Sequence, residues 1–137
     1  MAIVVDASIA IKWVLAEADS DVAIGLIESD LLIAPDLFFV ECANVLRTKV
    51  RRNRLSEEQA VAALLSIEAT PIRSVAGRLH VRAAQRLSFE LDQSAYDSLY
   101  LAIALAERAV FVTADIPFAR AALGHPVYER SVRLIGG

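Results

Sequence analysis

Short β-branched segments alternate along this chain with longer helix-periodic ones, and four of the apolar stretches carry a lone carboxylate. These are Asp6 in IVVDASIA, Glu41 in LFFVECANVL, Asp97 in SAYDSLYLAIA and Asp115 in VFVTAD. A carboxylate beside core-forming residues costs free energy unless something pairs with it. No matching base accompanies these four, so the pattern points to a hard metal cation as their shared partner and to metal-dependent phosphodiester chemistry.

The alternation itself limits the fold. Residues 3–5 read as a buried strand ending at Asp6, 8–17 and 21–29 as helices, and 32–34 as a strand stopped by Pro35. Residues 37–52 form a long helix with Asp36 as N-cap, and Ser56-Glu57-Glu58-Gln59 opens another that runs to Glu68 with a capping-box pattern. A strand over 71–75, helices over 76–90 and 94–108, a strand over 109–112, a helix over 116–123 and a strand over 132–135 complete the chain. Strands alternating with helices argue for a parallel sheet covered on both faces.

At 137 residues, one domain spanning 1–137 is expected. Hydrophobic residues make up 56 %, and mean hydropathy is +0.48. A spanning helix needs ~18 or more uncharged apolar residues, and Lys12, Glu17, Glu41 and Asp97 break the runs before that length. MAIVV lacks a basic n-region and is interrupted by Asp6, unlike a signal peptide. The expectation is a soluble cytoplasmic protein. Cys42 is the only cysteine, which excludes an internal disulfide and a cysteine-based zinc site. His80 and His125 stand far apart without ligand spacing.

The net charge of −3 argues against duplex binding through a broadly basic surface. A local patch remains available: Arg47, Lys49, Arg51, Arg52 and Arg54 fall close together with no acid between Glu41 and Glu57. Such cations complement a helix dipole, and they also suit a phosphate backbone. Trp13, Phe38, Phe39, Tyr96 and Tyr100 are candidates for stacking on unpaired bases, although aromatic residues in apolar runs more often fill a core.

Taken singly, three of the acids have a structural explanation. Asp6 and Asp115 stand where they can cap a following helix, and Asp97 lies three residues after Ser94, as in a capping box. Glu41 is different: it lies mid-helix on a face shared with Leu37, Phe38 and Val45. Jointly the four say more. Asp6 and Asp115 each follow a strand, and ligands of parallel sheets bind beyond the strand carboxyl ends where strand order reverses. Four like charges there raise one another's pKa, and a divalent cation relieves the conflict; all-oxygen donors suit Mg²⁺ or Mn²⁺. Asp92 is a rival acid, more simply read as a loop residue before Ser94.

Asp6-Ala7-Ser8 after a strand, Glu41 with Asn44 on a helix, Tyr96-Asp97 with Tyr100 and Ala102, and Thr113-Ala114-Asp115 resemble the four motifs of PIN-domain ribonucleases. The match runs from Met1 to about Arg120, and length and motif order resemble the VapC toxins of toxin–antitoxin modules. The resemblance implies a three-layer α/β/α fold with a mainly parallel five-stranded sheet, and a Mg²⁺- or Mn²⁺-dependent endoribonuclease. Asp6, Asp97 and Asp115 would be metal ligands, and Glu41 would ligate a second ion or orient the attacking water. Ser8, Asn44 and Thr113 would support them. It also implies a homodimer and a cognate antitoxin that blocks the acidic crevice.

Other readings fit less well. A haloacid-dehalogenase-type phosphatase would want an acid at position 8, where Ser8 stands. A receiver domain would want an Asp after the third strand, which ends at Ser74-Val75. Gly25, Gly77 and Gly124 are isolated, so no phosphate-binding glycine loop exists. The remaining alternative is an inactive scaffold that binds RNA or a partner protein, although a pure phosphate binder gains nothing from four negative charges in its cleft.

Overall fold

A computed structural model describes residues 1–136. Five strands, β1 (Ala2–Val5), β2 (Leu31–Pro35), β3 (Ile72–Val75), β4 (Val110–Thr113) and β5 (Val132–Leu134), form one sheet in the order β3-β2-β1-β4-β5. Every pairing is parallel, so the expected mainly parallel sheet is parallel throughout. The chain moves outward from β1 to β3 on one side and from β4 to β5 on the other. Strand order therefore reverses between β1 and β4, where Val5 pairs with Val112.

Among the described residues seven α-helices cover the sheet: α1 (Ala7–Val14), α2 (Ser20–Ser29), α3 (Leu37–Arg51), α4 (Glu57–Ala69), α5 (Val81–Leu91), α6 (Ala95–Glu107) and α7 (Ile116–Leu123). This is the three-layer α/β/α arrangement expected. Helix α1 packs on α2, α3 and α4, while α6 packs on α5 and on β1, β2 and β4. Coverage on both faces explains why Ile3, Val4 and Val5 are all buried instead of alternating. The α6 run Ser98–Ala104 is buried all round for the same reason, wedged between sheet and α5. Removing such Val, Leu and Ile side chains from water contributes about 1.5–3 kcal/mol each. Aromatic packing joins the layers: Phe111 of β4 stacks on Tyr100 of α6 and meets Phe118 of α7 edge-on, both at 5.6 Å.

Two elements depart from the sequence reading. Helix α1 stops at Val14, three residues early, because Leu15 turns extended. The loop beyond is tied by Lys12 Nζ donating to the Ala18 carbonyl (2.7 Å) and Ser20 Oγ donating to that of Leu15 (3.0 Å). The helix expected over 76–90 starts instead as a 3₁₀ turn, Gly77–His80, before α5. Here Gly77 N–H donates to Asp36 Oδ1 (3.1 Å), and a Cβ on Gly77 would press that oxygen and Leu99 Cδ2 at 3.2 Å. Asp36 thus caps α3 through Leu37 N–H and also anchors the turn after β3. Ser56 and Gln59 form the full capping box expected for α4. Among the described residues no helix is long and apolar enough to cross a membrane.

Candidate active site

The carboxyl ends of β1 and β4 deliver Asp6 and Asp115 to the switch point. Asp6 caps α1 only through its backbone carbonyl, which accepts from Ile9 and Ala10 at 3.2 Å; its side chain makes no cap bond. The carboxylate instead turns toward β4 and is 8 % exposed. Ser8 Oγ donates to Oδ1, and Thr113 Oγ1 donates to Oδ2 at 2.6 Å. Each hydroxyl accepts in turn from a backbone N–H of the β4–α7 loop, Ser8 from Ala114 (2.9 Å) and Thr113 from Asp115 (3.0 Å). A hydroxyl has one proton to give. With both protons committed to Asp6, the 3.3 Å Ser8–Thr113 approach is a contact and not a third bond.

Asp115 does act as a side-chain cap, accepting from Phe118 N–H at 3.1 Å at the start of α7. Asp97 sits in the first turn of α6, where Ser94 Oγ accepts from Asp97 N–H (3.1 Å) and donates to its Oδ2 (3.0 Å). This is half a capping box, since the carboxylate binds the Ser94 hydroxyl and not its N–H. Glu41 approaches from α3. It lines a groove of about 440 Å³ with Leu37, Val40, Asn44, Tyr96 and Asp97.

Three of the four carboxylates, Asp6, Glu41 and Asp97, are shifted by burial and by charges of this set. Burial, opposed by the Ser8 and Thr113 hydroxyls, pushes Asp6 up to about 6, and the charge of Asp115 adds to the rise. Burial pushes Glu41 up to about 7, opposed by the Tyr100 hydroxyl and reinforced by the charges of Asp6 and Asp97. Asp97 is raised by burial, lowered by Ser94 and raised by Asp115. The groups therefore share one field around one crevice. Among the described residues no three acidic, histidine or cysteine side chains converge tightly enough to grip an ion, so the acids ring the crevice without closing a cage.

The other sequence candidates separate. Asn44 is exposed beside Glu41. Arg47, Arg51, Arg52 and Arg54 are exposed, but Lys49 is largely covered and pairs with Glu17 at 3.1 Å, so it holds α3 to the α1–α2 loop. Arg47 and Arg51 border a separate apolar groove between α3 and α4. Asp92 is the exposed left-handed C-cap of α5, outside the cluster. Of the aromatic candidates Phe38 and Tyr100 are core residues, Trp13 donates its indole N–H to the Ala23 carbonyl (2.9 Å), and Tyr96 is 68 % exposed at the groove rim. Cys42 is buried, which pushes its thiol up to about 12. The sequence reading gives the Tyr100 hydroxyl no task; the structure buries it one helical turn after Asp97, where it lowers the pKa of Glu41 against the effect of burial.

Comparison with known proteins gives three kinds of result. The PIN domain family model matches residues 3–123. No curated sequence matches the chain closely enough to count as a relative. Among solved structures, the chain is similar to PAE2754 from Pyrobaculum aerophilum, with 21 % identity, a TM-score of 0.67 and coverage of 88 % of this chain and 79 % of that one. It is similar to VapC20 of Mycobacterium tuberculosis, a sarcin–ricin-loop-cleaving toxin, at 20 % identity and TM-score 0.67, covering 87 % and 94 %. It is also similar to VapBC2 from Rickettsia felis bound to promoter DNA, at 16 % identity and TM-score 0.61, covering 88 % and 93 %. At these identities the structural likeness is one of fold.

Proposed function

The chain belongs to the PIN-domain family, and from that premise we propose that it is a Mg²⁺- or Mn²⁺-dependent endoribonuclease, the toxin of a VapBC-type pair. The observation that carries the reading is the meeting of Asp6, Glu41, Asp97 and Asp115 in one electrostatic field at the sheet's switch point. A donor set made only of carboxylate oxygens fits a hard divalent cation.

Asp6, Asp97 and Asp115 are the residues that would hold the cation, with Glu41 at its edge. When bound, such an ion supplies Lewis acidity toward water and the scissile phosphate. The chain's own contribution is positional. Ser8 and Thr113 fix both oxygens of Asp6 in one orientation. Glu41, with its pKa near 7, is suited to take the proton released by the attacking water. Asn44 and the rim of Tyr96 lie where a phosphate and an unpaired base would pass. Arg47, Arg51, Arg52 and Arg54 are exposed on the far half of α3 and just beyond its end, where they would offer phosphate contacts apart from the crevice, with Lys49 in a structural pair instead.

The choice of RNA as substrate and of an antitoxin as partner rests on the fold likeness to VapC20 and VapBC2. A homodimer and an antitoxin both need surface, and exposed Val40, Val61 and Leu65 on α3 and α4 offer it. The test is cleavage of a structured RNA with Mn²⁺, with chelator, and with Asp6→Asn. Loss of cleavage in the last two arms is expected. Full cleavage by a folded Asp6→Asn protein would sink the mechanism, and metal-independent RNA binding without cleavage would favour a scaffold.

A further inference from the structure

Among the described residues, two buried side-chain polar atoms have no hydrogen-bond partner: Ser98 Oγ and Tyr100 Oη. The second is harder to explain. Tyr100 is 1 % exposed, and its ring is fixed by stacking on Phe111 at an interplanar angle of 19°. A phenylalanine would fill that space and avoid burying an unmet hydroxyl, which is costly. Burial does most to raise the pKa of this hydroxyl, and the charges of Glu41, Asp6 and Cys42 add to the rise. The hydroxyl faces Glu41 closely enough to affect its ionisation, yet the two make no bond of proper distance and angle.

Glu41 has the complementary deficit. Asp6, Asp97 and Asp115 are each held by a hydroxyl or a backbone N–H. Among the described residues Glu41 has no such well-formed hydrogen bond, although burial raises it to about 7. Tyr100 lies one turn after Asp97 on α6, so a single helix presents the Asp97 carboxylate and the Tyr100 hydroxyl on one face.

We propose that Tyr100 is a positioning residue: its buried hydroxyl donates to the Glu41 carboxylate as the crevice takes up a divalent cation, and so sets the orientation of Glu41. This rests on the metal-dependent reading of the acidic site. The rigid ring defines where the donor sits, and the longer Glu41 side chain moves to meet it.

The test compares wild type, Tyr100→Phe and Asp6→Asn by Mn²⁺ titration followed by electron paramagnetic resonance, alongside steady-state RNA cleavage. Tyr100→Phe is expected to melt no lower than wild type, to bind Mn²⁺ about tenfold more weakly, and to lose kcat with KM for RNA unchanged. Wild-type Mn²⁺ affinity and kcat in Tyr100→Phe would overturn the positioning role while leaving the metal site standing. Failure of the wild type itself to bind Mn²⁺ would overturn both. If Tyr100→Phe does not fold, Tyr96→Phe combined with Tyr128→Phe leaves Tyr100 as the only tyrosine. Its ultraviolet absorption should then shift on adding Mn²⁺; an unmoved spectrum refutes the coupling.

Discussion

The two walls of the crevice are built on different principles. On the β1–β4 wall, Asp6 is held at both oxygens by Ser8 and Thr113, and those hydroxyls are held by backbone N–H groups. On the α3–α6 wall, Glu41 has no well-formed side-chain hydrogen bond among the described residues, and Asp97 is held by one exposed serine. The first wall is anchored to the sheet through the paired strands β1 and β4. The second belongs to two helices, α3 and α6, whose residues line one groove. A site of this kind fixes Asp6 at both oxygens and Asp97 and Asp115 at one each, and leaves Glu41 the most room to adjust to an ion and a phosphate. This agrees with the absence, among the described residues, of a ready-closed group of three donors.

The largest break in this comparison is Asp6→Asn. It removes the fixed charge while keeping shape, and cleavage should fall by about a thousandfold or more, as for other residues that act as part of one catalytic unit. A circular dichroism spectrum like that of the wild type, measured with the cleavage rate, checks that chemistry and not folding was lost.

Next comes a paired test of the walls. Thr113→Val keeps volume but leaves Asp6 Oδ2 and Asp115 N–H without their partner. That should cost about 1–3 kcal/mol of unfolding free energy and weaken Mn²⁺ binding. Ser94→Ala removes the α6 cap and should cost about 0.5–2 kcal/mol with a smaller loss of Mn²⁺ affinity. Equal losses of affinity would show that the walls are equally adjustable and would remove the distinction. Denaturant melts and Mn²⁺ titrations of the two variants decide it.

The pH response sharpens the same point. The folded-state pKa values of Asp6 and Glu41 are raised to about 6 and about 7. Between about pH 4 and pH 7 the folded chain therefore holds protons that the unfolded chain has released, so these groups make the metal-free protein less stable as pH rises through that window. Mn²⁺ affinity should run the other way and strengthen from pH 5 to about pH 8, because the cation needs the carboxylates ionised. Melting scans across that range test both signs, and Asp6→Asn should flatten the metal-free slope.

The smallest effect concerns the basic end of α3. Arg51→Gln with Arg54→Gln should leave melting unchanged and raise KM for RNA a few-fold, since exposed arginines there contribute screened phosphate contacts. Lys49→Gln should instead lower stability slightly by releasing Glu17. An RNA KM unaffected by the arginine pair would confine substrate contact to the crevice.

Local chemistry wrote much of this protein into its sequence. Apolar and β-branched runs marked the strands to within a residue or so, because a doubly covered central strand such as β1 or β4 favours apolar side chains, while the edge strands β3 and β5 admit Arg73, Ser74 and Arg133. Ser56 and Gln59 marked the start of α4, because capping uses groups within one turn. The four acids stood out because a carboxylate in an apolar segment needs a reason. Tertiary structure alone decided the rest. It brought Thr113 to Asp6 across 107 positions, tied Lys49 to Glu17 across 32, shortened α1, and buried the Tyr100 hydroxyl without a partner. Such pairings depend on where helices and strands lie in space, and the local pattern that creates each element carries no record of which distant element it will meet.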